Sequence, residues 1–200
     1  MLINYNPDYT LYIVGTSIFA QELESWITND ITGKITSISP DEYFTLPDYS
    51  QCILGFQNII YRKDFLLSGN KLARTWPIYI HPTAFVTDKN LINKGTVICP
   101  MAVVGYGVTI GCFGMVGIHS KLGHGDQLGD NVVISPGSNI GGTTIISNNV
   151  YFGQCSSVKD KITICSNTKF TMNSIITKSI TSPGNYSGNK KIPIIINNDC

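Results

Sequence analysis

The sequence predicts a mainly β protein: a parallel β-solenoid of six-residue repeats preceded by a small α/β domain. Three observations predict it. A large apolar residue recurs every six positions from Ile80 to Ile176, glycine directly follows many of these residues, and the first 77 residues lack the period.

Repeats come first, because a missed repeat misassigns the whole fold. Stepping by six from Ile80 passes through Val86, Ile92, Ile98 and Val104 and continues unbroken to Ile176, so all 17 positions are large and apolar. In a chain that is 42% apolar, such a run is no accident of composition. The residue after the aliphatic is glycine at Gly105, Gly111, Gly117, Gly123, Gly129, Gly141 and Gly153, where close backbone approach leaves no room for a side chain. The residue two before it is usually small, as at Ala102, Ser120, Ser138, Thr144 and Ser156. Six residues are too few for a helical repeat and suit one short strand plus one corner. Three units then form a triangular coil, with coils stacked at roughly 4.8 Å, and residues 80–176 supply about five coils.

Before the repeat, Leu11–Val14 reads as a strand, Gly15–Ser17 as a turn, and Phe19, Leu23, Trp26 and Ile27 recur at helical spacing. Residues 35–38 and 52–56 read as further strands, and residues 58–68 as a helix stopped by Gly69-Asn70. The region thus predicts a truncated nucleotide-binding α/β domain. Its Gly15-Thr-Ser17-Ile-Phe-Ala20 turn suits an anion at the helix N-terminus, or simply joins strand to helix. Trp76-Pro77 marks the junction, giving units 1–77 and 78–184 and a tail 185–200.

Composition narrows the function. At 200 residues the chain suits one large fold or a compact fold with a small partner. Lysine plus arginine number 14 against 13 acidic residues, so no single-sign field recruits nucleic acid or an anionic membrane. Residues 95–120 carry no charged side chain, but six glycines, Pro100 and the six-residue period assign them to the solenoid rather than to a membrane span. The N-terminus has no basic region followed by an apolar stretch, and the six cysteines include no C-x-x-C pair. A cytoplasmic protein with reduced thiols is expected.

Few ionisable groups lie in the repeat. His81, in Ile80-His-Pro-Thr-Ala84, reads as structural, and His119 and His124 lie in Gly117-Ile-His-Ser-Lys-Leu-Gly-His-Gly-Asp126. His124 is two residues past the inward Leu122, where a side chain points out of the prism, and Gly142 lies one coil further on. An imidazole, with its ordinary pKa near 6.5, can take a proton from an attacking amine or hydroxyl while a backbone N–H holds an acyl oxygen. That suits acyl transfer; an exposed histidine on a corner is the competing reading.

The stretches Ile80-His-Pro82, Gly129-Asp-Asn131, Ile134-Ser-Pro-Gly137, Thr177-Lys178 and Gly188-Asn-Lys-Lys191, preceded by a small α/β domain, resemble the hexapeptide-repeat sugar acetyltransferases of the NeuD and PglD type. The resemblance implies a left-handed parallel β-helix behind a Rossmann-like domain. It also implies a homotrimer with active sites between adjacent prisms, acetyl-CoA along the C-terminal coils, an amino-sugar nucleotide or sialic acid as acceptor, and a role in surface glycan synthesis.

His124 falls on the family pattern E-H-[DE]-C-x-I-G-[DE], here Gly123-His-Gly-Asp-Gln-Leu-Gly-Asp130, as general base. Glycines replace both acidic flanks, so Asp126 or Asp130 is expected to orient the ring. Val133 stands where relatives often carry a second histidine. By the same resemblance Gly142 and Lys190, with Lys191, serve the coenzyme, and Gly15, Ser17 and Asp41 the sugar nucleotide. Two alternatives remain: a binding or assembly scaffold with an eroded site, and a zinc enzyme like the gamma-class carbonic anhydrases. Against zinc, His81 and His119 are 38 residues apart and cannot stack in one column of an 18-residue coil, so no metal is expected.

Overall fold

The computed structural model describes residues 1–69 and 72–193. Its first part comprises β1 (Leu2–Ile3), β2 (Leu11–Val14), α1 (Ile18–Asp30), β3 (Ile35–Ile38), α2 (Pro40–Tyr43), β4 (Gln51–Leu54) and α3 (Ile59–Gly69), followed by β5 (Ile78–Ile80). The strands β3, β2 and β4 form a parallel sheet in that order. Ser17 caps α1, its Oγ accepting the Ala20 N–H at 3.2 Å, and Asn58 Oδ1 accepts the Ile60 and Tyr61 N–H groups at the start of α3. Two elements escaped the sequence reading. One is β1, which pairs antiparallel with β5; the other is α2, closed by a capping box between Ser39 and Glu42.

From β5 onward the chain is a parallel β-solenoid. As far as Ile176 its strands pair at an offset of 18 residues, as in Val97↔Met115↔Val133↔Tyr151, so each coil has three short strands. The first face runs from β1 and β5 to a closing antiparallel hairpin, Gly184–Ser187 with Lys190–Ile192. The second and third faces hold six and four strands. The solenoid makes about six turns rather than about five, because its pairing begins at β5 and extends past Ile176 to Gly184–Ser187.

The repeat aliphatics fill the prism. Sixteen of the 17 are buried and Val86 is partly so; each contributes about 1.5–3 kcal/mol of transfer free energy. The glycines that follow are required by close approach: a Cβ on Gly123 would lie 2.6 Å from the Gly142 nitrogen. The left-handed backbone falls elsewhere, three residues past each aliphatic. Positive φ recurs there every six residues from Gly95 to Asn173, at four glycines and ten other residues, among them His119, Asn131 and Thr143.

Strand positions facing outward differ by face. On the second and third faces Lys121, Gln127, Asn139 and Ser157 are exposed. On the first face Val97, Met115 and Val133 are buried, in one cluster with Leu23 and Ile27 of α1 and with Leu11, Ile13 and Ile53. The α/β unit therefore packs on the first face, which explains why these outward positions are apolar as well as the inward ones. Arg62 of α3 crosses the junction fully buried. It donates to Asn131 Oδ1 at 2.9 Å, the Phe56 carbonyl at 2.9 Å and the Phe113 carbonyl at 2.6 Å.

Candidate functional site

His124 sits on the corner between the second and third faces, after Leu122 and before Gln127. Three backbone hydrogen bonds stack this corner through successive coils: Gly125 N to Tyr106 O at 2.8 Å, Thr143 N to His124 O at 2.8 Å, and Lys161 N to Gly142 O at 3.1 Å. Tyr106, His124 and Gly142 thus form one outward column. A Cβ built on Gly142 would lie 3.0 Å from His124 Nε2, so the imidazole lies over the glycine backbone as the 18-residue step requires. Among the described residues no protein acceptor takes the Gly142 N–H, although the flanking Gly141 and Thr143 N–H groups are engaged. The ring is exposed. Tyr106, 78% exposed on the same column, was missed by the sequence reading, although an 18-residue step back from His124 finds it.

Neither acid expected to orient His124 touches it. Asp126 occupies the inward small-residue column and is fully buried, its Oδ1 accepting the Thr144 N–H at 2.9 Å. Burial pushes its carboxyl up to about 7, against the lowering effect of the Thr144 N–H hydrogen bond. Asp130 stands on the next corner, past Leu128, where its Oδ1 accepts the Cys112 N–H at 2.7 Å. Asp126 faces inward because Gly125 between the two residues turns the chain at the corner with φ 67°, which breaks the simple alternation of side chains.

The other candidates lie toward the first face. Gly15 closes against β4, where a Cβ would lie 2.9 Å from the Gly55 carbonyl oxygen. Ser17 Oγ donates to that same oxygen at 2.9 Å besides capping α1, so in this chain the turn visibly joins strand to helix. Asp41 is exposed in the first turn of α2. Lys190 and Lys191 are exposed on the last strand of the first face. Val133 is buried beneath the α/β unit, away from the histidine corner. Of the expected catalytic and coenzyme residues, His124 and Gly142 are brought together within one chain.

His81 is structural as expected. Its Nδ1 lies 2.8 Å from Thr83 Oγ1, and its ring meets Trp26 of α1 edge-on at 5.9 Å. His119 is exposed on another corner, with φ 56°. Among the described residues no three His, Cys, Asp or Glu side chains are grouped to hold a metal ion, and no helix is long and apolar enough to cross a membrane. Cys52 and Cys99 are buried thiols, whereas Cys155 is exposed; Cys200 lies outside the described residues. A cavity of about 970 Å³ is bordered by Tyr5, Tyr9, Tyr49 and Gln51 and does not include His124.

The fold and corner define a class of molecule: a hexapeptide-repeat β-solenoid presenting a histidine over a stacked glycine amide. No family model matches the sequence. Over 87 residues, 43% of this chain and 39% of the relative, the sequence is 30% identical to the GDP-perosamine N-acetyltransferase of Escherichia coli O157:H7. The match thus spans about two-fifths of that relative's length. Among solved structures, the acetyltransferase domain of PglB from Neisseria gonorrhoeae FA1090, in complex with acetyl coenzyme A, superposes with a TM-score of 0.84. It is 20% identical, with 94% of this chain and 100% of that one covered. A mutant of perosamine N-acetyltransferase from Caulobacter crescentus, in complex with CoA and GDP-perosamine, superposes with a TM-score of 0.75. It is 13% identical, with 96% and 99% covered. The fold is therefore shared with acetyltransferases that bind acetyl-CoA or CoA.

Proposed function

We propose that this chain transfers an acetyl group from acetyl-CoA to an amino or hydroxyl group of a nucleotide-linked sugar, for surface glycan synthesis. The observation that carries the proposal is the His124 imidazole lying over Gly142, whose N–H has no acceptor among the described residues. In this reading His124 takes the proton from the attacking nitrogen or oxygen as it bonds to the thioester carbon. The Gly142 N–H donates to the carbonyl oxygen as it gains charge, and the imidazolium returns its proton to the departing thiolate. The relative and the solved structures, which are acetyltransferases, support the donor and the acceptor class.

The placement of the candidates supports a shared site. His124 stands on the corner opposite the first face, whereas Gly15, Ser17 and Asp41 belong to the α/β unit packed on that face. A sugar nucleotide held by that Rossmann-like unit, residues 1–77, would therefore meet the histidine of a neighbouring chain. We accordingly read the assembly as a homotrimer of left-handed β-helices, residues 78–184, working in the cytoplasm. The coenzyme would lie along the C-terminal coils with Lys190 of the tail near its phosphates.

The competing reading, an eroded scaffold, rests on the absence of any carboxylate bonded to His124 among the described residues. One experiment decides between them: acetyl transfer from acetyl-CoA screened over UDP-, GDP- and dTDP-amino sugars and sialic acid. Turnover with one acceptor, abolished in His124→Ala, supports the enzyme. No turnover together with no heat of acetyl-CoA binding in calorimetry supports the scaffold.

A further inference from the structure

The inward column two residues before each aliphatic mixes aliphatic side chains with hydroxyls, and two of those hydroxyls share one hydrogen-bond pattern. Thr96 and Ser138 each accept the N–H of the residue 18 ahead and donate to the carbonyl 15 ahead, whereas Thr144, Ser156, Thr168 and Ser174 donate first to the carbonyl three back. Thr96 Oγ1 accepts from Gly114 N at 3.2 Å and donates to Gly111 O at 3.2 Å. Ser138 Oγ accepts from Ser156 N at 3.2 Å and donates to Gly153 O at 3.0 Å. The Gly153 carbonyl receives a second bond, at 2.6 Å, from Ser156 Oγ three residues ahead of it.

Twelve residues earlier the same constellation recurs with one substitution. Asp126 stands where Ser138 stands, Thr144 where Ser156 stands, and Gly141 where Gly153 stands. Thr144 Oγ1 donates to Gly141 O at 2.6 Å, as its counterpart does. Asp126 Oδ1 accepts from Thr144 N at 2.9 Å and so performs the accepting half of the hydroxyl's task. Its Oδ2 is buried with no hydrogen-bond partner. A carboxylate can only accept, so the donating half requires a proton on Oδ2.

We propose that Asp126 is a neutral carboxylic acid that donates from Oδ2 to the Gly141 carbonyl and thereby positions the Gly142 N–H beneath His124. The Gly141 C=O and the Gly142 N–H belong to one planar peptide unit and point in opposite directions. A bond made to the oxygen inside the prism fixes that plane and strengthens the N–H outside it. Asp126 is thus a positioning residue acting through the peptide group, and this functional half rests on the acetyl-transfer reading above.

The groups around Asp126 favour the neutral form. The positions one coil before and after it in the column are Val108 and Thr144, and the flanking strands Thr109–Ile110, Gln127–Leu128 and Ile145–Ile146 bring no ionisable side chain. His124 faces outward on the corner, and no cation is among the causes acting on the carboxyl. Burial without a counter-charge favours a protonated acid, which agrees with the raised pKa of about 7.

Asp126→Asn is the decisive variant, because an amide accepts and donates in the same places at every pH, whereas Asp126→Ala does neither. The wild type should show an infrared band of a protonated carboxyl at about pH 6 that is missing from Asp126→Asn. The melting-temperature gap between wild type and Asp126→Asn should widen as pH rises from about 6 to about 9. With the acceptor identified by the screen, the alkaline fall of kcat in the wild type should be displaced upward by about one pH unit or more in Asp126→Asn. A melting gap independent of pH, or no protonated carboxyl at the acid end, overturns the proposal. Neither physical readout involves acetyl transfer, and the infrared arm on the wild type stands even if a variant fails to fold. Unchanged turnover in His124→Ala would sink the general-base role of His124 alone, and a flat melting gap would sink this proposal alone.

Discussion

Arg62 Nε, on α3 of the α/β unit, donates to Asn131 Oδ1 on a corner of the solenoid at 2.9 Å, and Asn131 Nδ2 in turn donates to Asn149 Oδ1 one coil on at 3.0 Å. The guanidinium is fully buried with carbonyl and amide oxygens and no carboxylate around it, and burial pushes its pKa down to about 10. It remains a cation, and each of its three nitrogens donates to an oxygen placed at the junction.

Asn131→Ala should accordingly be costly, because it strands the Nε–H of a buried cation. Chemical denaturation should show a loss of about 1–3 kcal/mol. Arg62→Met, which removes the charge and keeps much of the packing, should cost less than Arg62→Ala.

His124→Ala should fold with an unaltered melting temperature, since the exposed ring makes no hydrogen bond in the structure. Acetyl transfer to the acceptor found by the screen should fall by about a hundredfold or more in kcat, within the range for losing a general base.

Gly142→Val tests the stacked pair from the other side. A side chain there meets His124 Nε2 within 3.0 Å, so the ring must swing away. Turnover should drop by about tenfold or more while the circular dichroism spectrum stays that of the parent, as expected when a reacting group is displaced by an ångström.

Stability should fall as pH rises through neutrality. The folded-state pKa of Asp126, about 7, lies above the ordinary carboxylate value near 3.9, so the native state binds the extra proton between those limits. Stability is full below about pH 4, declines by at most one proton's worth per pH unit, and levels off above about pH 7. Urea midpoints across that range measure it, and Asp126→Asn should abolish this component.

Ser17→Ala removes both the α1 cap and the bond to the Gly55 carbonyl. A loss of about 1 kcal/mol is expected by thermal denaturation. If the turn also holds the sugar nucleotide, KM for that substrate should rise with kcat preserved; an unchanged KM would leave the turn purely a connection.

Much of this architecture was readable before any coordinates. The six-residue period placed every inward aliphatic, because a solenoid repeats its environment and so repeats its residue. The step of 18 placed Gly142 beneath His124 for the same reason. Elements that do not repeat were missed. Two residues of β1 carry no period, and the capping box at Ser39-Pro-Asp-Glu42 was passed over while its acids were being weighed as ligands. Asp126 was expected to serve His124, its neighbour in sequence, although its own column consists of buried hydroxyls and aliphatics. Arg62 gave no warning, since a charged residue in an amphipathic helix ordinarily faces water.

The first face of the solenoid begins at β1 and ends at Lys190–Ile192, and both outermost strands run antiparallel to the strands they cover. A parallel stack with open ends offers rows of unused amide and carbonyl groups to the next molecule and invites growth into a fibre. Here the outermost strands at the two ends break the direction of the stack, so a second copy meets a mismatched template at either end. Shaving either terminal strand should therefore turn a discrete particle into one that adds copies of itself lengthwise.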